Sequence, residues 1–194
     1  KGQGPEKVIS AIQAGIKIIG HNYLQEAARD LPQNLADDIQ IHMIGHLQRN
    51  KAGKAVNIFH VIETVDDDSL ASALSRHAQE HGKIIKVMIQ VNLAKEPQKS
   101  GIEEEGVPRL VEHIRTLPAI KIMGLMTIPP FFDEPERARP YFARLRNLQE
   151  KLLAFGVFDP EMNELSMGMS GDYEVAVEEG ATLVRIGTAL FGPR

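Results

Sequence analysis

The sequence predicts an α/β fold, a (β/α)8 TIM barrel whose first strand lies upstream of Lys1, and three observations carry that expectation. Helix-period segments alternate with short apolar runs from Pro5 onward, the pattern of repeated βα units. No G-x-G-x-x-G fingerprint follows the first strand, and the alternation is too regular for the switch point of a doubly wound sheet. The last two strands each run into a turn of small residues, where a barrel of this kind builds a phosphate site. Seven strands are counted, and a barrel short of one would leave two unpaired edges. An eighth strand is therefore expected before residue 1, and residues 1–194 are read as one domain.

The elements follow in order. Residues 5–14 read as a helix with Val8, Ile9 and Ile12 on one face, stopped by Gly15. Residues 16–19 make a strand, Gly20-His21-Asn22 lies just past it, and a helix covers 23–29. A strand at 39–44 leads through Gly45-His46-Leu47-Gln48 into a Lys-rich helix at 49–56. A third strand covers 58–65, and Asp66-Asp67-Asp68-Ser69 supplies carboxylates and a hydroxyl that open a helix at 70–80. The β-branched run at 84–91 is a strand bounded by Gly82 and Asn92. A polar loop at 93–101 precedes a helix at 103–115, which accepts Pro108 only near its first turn. Residues 120–126 form the fifth strand, stopped by the Pro129-Pro130 turn, and 136–155 a long amphipathic helix.

The closing stretch organises the rest. Leu165 to Met169 reads as a strand and turn, Ser170-Gly171-Asp172 opens a helix, Gly180 stops it, and Leu183 to Ile186 leads to Gly187-Thr188. Backbone N–H groups at helix N-termini carry partial positive charge, and glycine lets a phosphate come close to them. Either turn alone reads as a helix cap or a loop. Two together, beyond consecutive strands, point to an anion cradle for a phosphate held by Ser170, Gly171, Gly187 and Thr188.

Composition narrows the function classes. With 22 Lys and Arg against 26 Asp and Glu, the net charge of −4 argues against a nucleic-acid partner. There is no cysteine, so neither a disulfide framework nor a thiol nucleophile is available, which fits a cytoplasmic location. No apolar run is long enough to span a bilayer, so no membrane association is expected.

Six blocks resemble one family: Gly20-His21-Asn22-Tyr23-Leu24-Gln25-Glu26, Ile44 to Lys51, Lys99-Ser100-Gly101, Gly124 to Pro129, Ser166 to Glu174, and Val184 to Gly192. Together, and over the whole length, they resemble the pyridoxal phosphate homeostasis proteins. The resemblance implies a barrel like the N-terminal domain of alanine racemase, carrying pyridoxal 5'-phosphate (PLP) as a Schiff base. It also implies storage or delivery of the cofactor to apo PLP-dependent enzymes, without strong catalysis, by a monomer. The alternative is a fold-type-III enzyme, an amino-acid racemase or decarboxylase.

The resemblance assigns roles residue by residue. Ungapped spacing back from Gly15 and Gly20 places the family's Schiff-base lysine on Lys1. A lysine amine attacks an aldehyde only when neutral, and burial in a barrel mouth favours that form. Arg185, at the end of the last strand, is expected to donate to the pyridine nitrogen, which leaves the ring a weak electron sink. Asn22 and His46 lie past strand ends, where they line the ring or orient a water, or else serve as turn and cap residues. Ser166, Met167 and Met169 are expected to pack under the phosphate loop. His21 departs from the family, which carries glutamate there. His42 and His46 fall on a strand and the loop beyond it, and His77 and His81 fall at i, i+4 on a helix, a spacing that zinc can use, but a solvated helix face explains the second pair better.

Overall fold

The computed structural model describes residues 4–32, 35–96 and 98–192. Seven strands, β1 (Ile18–His21), β2 (Gln40–Met43), β3 (Val61–Val65), β4 (Ile85–Gln90), β5 (Ile120–Met126), β6 (Glu164–Met169) and β7 (Leu183–Arg185), form one sheet in sequential order. Every neighbouring pair is parallel. Parallel neighbours need a crossover each, and α2 (Leu24–Asp30), α3 (Ala52–Ile58), α4 (Asp68–Glu80), α5 (Val107–Arg115), α6 (Arg139–Ala154) and α7 (Tyr173–Glu178) supply them, with α1 (Pro5–Gln13) before β1 and α8 (Thr188–Phe191) after β7. The result is a nearly closed barrel wrapped in helices, as the alternation predicts.

Local chemistry sets the element ends. Asp67 caps α4, its carboxylate accepting the Ser69 and Leu70 amides at 2.7 and 2.9 Å. Pro108 falls in the first turn of α5, where no intrahelical amide is lost. Three expectations shift, the first being the third strand, which starts at Val61 rather than at 58 because Ile58 completes α3. Ile9 is 39% exposed, and Val8 and Ala11 form the buried face of α1. β1 begins two residues later than expected and contains Gly20 and His21, because Ile18 to His21 pair with Gln40 to Met43. Ile16, 36% exposed, belongs to the link out of α1.

Two buried layers follow from strand parity. The outer one joins strand residues such as Ile41, Ile62, Val87, Ile122 and Leu165 to helix residues such as Leu70, Leu74, Leu110 and Phe142. The inner one contains strand residues alone, Val61, Met88 and Met126, flanked by Met123 and Leu183. No helix among the described residues is long and apolar enough to cross a membrane.

Candidate functional site at the barrel mouth

The two glycine-bearing turns after β6 and β7 meet. Ser170 Oγ accepts the Gly187 amide at 3.0 Å and the Ala189 amide at 3.2 Å, so one hydroxyl ties the turns together. The first turn is shaped by Asp172, whose carboxylate accepts the Met169 amide at 2.6 Å. Gly168, at φ +92°, makes the bend possible, and a Cβ there would approach that of Ala176 to 2.5 Å. Gly171 and Gly187 differ: a Cβ at either would meet nothing within 4 Å. Open space therefore stands over the backbone at these two positions, on the same rim. The Gly187 amide is thus engaged within the turn pair by Ser170 Oγ, an acceptor here whose hydroxyl also carries a proton to donate. Thr188 begins α8 directly beyond Gly187.

Arg185, the last residue of β7, points along the inner face. Its guanidinium donates to Ser166 Oγ at 2.6 Å and to the Thr127 carbonyl at 2.8 Å. Burial lowers its pKa, opposed by the charges of Glu63 and Asp172. Ser166 is fully buried and donates its hydroxyl hydrogen bond to Glu63, Oγ to Oε2 at 2.6 Å. The other Glu63 oxygen takes His42 Nδ1 at 2.6 Å. Burial pushes the Glu63 carboxyl up, but the His42 hydrogen bond, the Arg185 charge and the Ser166 hydrogen bond outweigh it and hold it ionised. Ser166 thus belongs to a polar array on the inner face, whereas Met167 packs in the outer layer. The sequence reading missed Glu63 and gave His42 only a weak metal role. For His42 the signal was parity, since it lies between Ile41 and Met43, whereas Glu63 follows the unbroken apolar pair Val61-Ile62 and has only its charge within a strand to mark it.

The remaining expected residues divide. Asn22 follows β1 at the rim, with its carbonyl so close to Gly45 that no side chain fits there. His46 is exposed and pairs with Ser100 at 3.2 Å, beside Gly101, whose amide Asp66 accepts at 2.8 Å. Burial raises the Asp66 pKa against that hydrogen bond. His21, buried at 8% exposure, shares the face of Ile19 and lies near Asp30 and Glu26 of α2, and its Nε2 has no partner among the described residues. It therefore sits under the helices, on the opposite side of β1 from the inner face. His77 pairs with Glu80, and no group of three metal-ligating side chains occurs among the described residues. Lys1 lies outside the described residues.

The family model for the alanine racemase N-terminal domain matches residues 1–194. A pyridoxal phosphate homeostasis protein from Aquifex aeolicus is 40% identical over 190 residues, covering 98% of this chain and 82% of that protein. The chain belongs to the pyridoxal phosphate homeostasis protein family. A Bos taurus member is 39% identical, with 97% of this chain and 73% of the relative covered. PipY of Synechococcus elongatus PCC7942, whose structure holds PLP, superposes at a TM-score of 0.86 with 35% identity over 99% of this chain and 89% of its own. Alanine racemase of Clostridium difficile 630 shares the fold, at a TM-score of 0.77 and 15% identity, over 97% of this chain and 50% of the racemase.

Proposed function

We propose that this protein binds PLP at the barrel mouth and stores it or passes it to apo PLP-dependent enzymes, as a cytoplasmic monomer with no strong turnover of its own. The observation that carries the reading is the junction of the two glycine turns through Ser170 Oγ, with open space over Gly171 and Gly187. Such a rim offers backbone N–H donors and helix N-termini to a dianion. The donor set fits PLP: the Ser170, Gly171 and Thr188 amides hold the phosphate, while the Gly187 amide holds the cradle itself. Family membership and the PLP in PipY support the same reading.

Arg185 faces the pyridine nitrogen, already aimed by Ser166 and the Thr127 carbonyl. Guanidinium is a donor with no acceptor and keeps its proton, so it leaves the ring nitrogen unprotonated. When bound, the cofactor supplies an electrophilic aldehyde and an electron-withdrawing ring. Lys1 provides the amine that retains the aldehyde, and Asn22 and His46 border the ring.

Titration of the purified protein with PLP, followed by absorption, tests this. A band that borohydride bleaches is expected, with the reduced adduct mapped to Lys1 and the band lost in Lys1→Ala. Gly171→Ala is expected to keep the fold and weaken PLP binding roughly tenfold, because a methyl fills the phosphate's approach. Unchanged binding in that variant removes the cradle, and racemisation of alanine at an enzyme-like rate overturns the carrier role.

A further inference from the structure

Beneath Arg185 lies a set of buried polar side chains that cofactor retention does not by itself require. His42, Glu63 and Ser166, on β2, β3 and β6, are 1%, 3% and 0% exposed. Apolar side chains fill the same inner face at Val61, Met88 and Met126, so packing alone would be served by more of them. A carboxylate this deep is tolerated only when its lone pairs are matched. Glu63 meets that condition, with His42 Nδ1 at 2.6 Å on one oxygen and Ser166 Oγ at 2.6 Å on the other.

The order of donors gives the array a direction. Arg185 donates to Ser166 at 2.6 Å, and Ser166 has a single proton, which it gives to Glu63. Glu63 therefore fixes the hydroxyl so that its lone pairs face the guanidinium. A second guanidinium nitrogen is held by the Thr127 carbonyl at 2.8 Å. These contacts use only part of the five-donor fork and leave the rest for a ligand.

Resting on the PLP reading of the mouth, we propose that Glu63, seated by His42 and acting through Ser166, is the positioning residue that sets Arg185 against the pyridine nitrogen. PLP affinity and the electronic state of that nitrogen then depend on a carboxylate one hydroxyl removed from the guanidinium.

A double-mutant cycle on the full chain tests it, with the PLP dissociation constant and the 15N chemical shift of ring-labelled PLP as readouts. Glu63→Gln is expected to weaken PLP roughly tenfold and move the ring-nitrogen signal. In an Arg185→Gln background the same change is expected to cost less than about twofold, because coupled groups are not additive. Additive losses, or a Glu63→Gln protein with wild-type affinity and shift, overturn the proposal. A purely structural Glu63 lowers the melting temperature and leaves the nitrogen signal in place, which also overturns it. Should Glu63→Gln not fold, Ser166→Ala cuts the same link and is read by the same cycle. Failure of the unmutated protein to bind PLP overturns the carrier reading instead.

Discussion

The outer and inner layers of this barrel are equally dry and differently made. Between strands and helices, Phe142, Leu110, Leu74 and Ile62 are 0% exposed within the large apolar cluster. There stability scales with area removed from water, about 25 cal/mol per Å². Inside the sheet, the same exclusion of water surrounds Glu63, His42 and Ser166, where the gain comes from matched donors and acceptors and the loss from any unmatched one. The outer layer tolerates shape-preserving exchange, whereas the inner layer dictates the orientation of a single guanidinium.

The comparison breaks first at Phe142. Phe142→Ala is expected to cost about 3–5 kcal/mol in urea unfolding, and a loss below about 1 kcal/mol would mean that the outer layer is not what holds the sheet to its helices. Acid separates the layers next. His21, under α2, has its pKa lowered by burial, against the raising effect of Asp30 and Glu26. The unfolded chain takes that proton from about pH 6.5 downward, so the His21 contribution is whole above that value and is lost as pH falls toward the lowered folded pKa. Glu63, also lowered, keeps its contribution until the pH drops below about 4.5 and loses it as pH falls through the folded pKa. Melting temperature against pH is expected to fall in two stages. His21→Gln flattens the upper stage in part, since His60, also lowered by burial, shares that window. An unchanged upper stage removes His21 from the account. The smallest effect belongs outside both layers. Arg139 bonds Glu136, Glu178 and Glu179, and these partners hold its pKa above the ordinary arginine value. Its side chain is 33% exposed, so solvent screens the network, and Arg139→Ala is expected to leave the unfolding midpoint nearly where it is in the same assay.

What could be read from the chain divides along the same line. β5 falls on the expected residues, because an apolar run stopped by prolines has one reading. β1 is displaced because its pairing continues through Gly20 and His21, which an apolar-run reading takes for a loop. The pair of turns at the rim was legible, since glycine, serine and threonine follow consecutive strands. Its internal bond from Gly187 to Ser170 was not, because no one-dimensional pattern says which amide meets which hydroxyl. Glu63 was hidden for a related reason. Its partner Ser166 stands 103 residues away, and only the closure of the sheet turns a lone charged residue into a matched one.

The hydroxyl between Glu63 and Arg185 also constrains redesign. An acid in place of Arg185 would upset the array beneath it. Arg185→Glu would set two carboxyl groups at either end of one serine oxygen, away from solvent, where they would have to share a proton. A carboxyl group at position 185 therefore calls for the neutralisation of position 63, on β3.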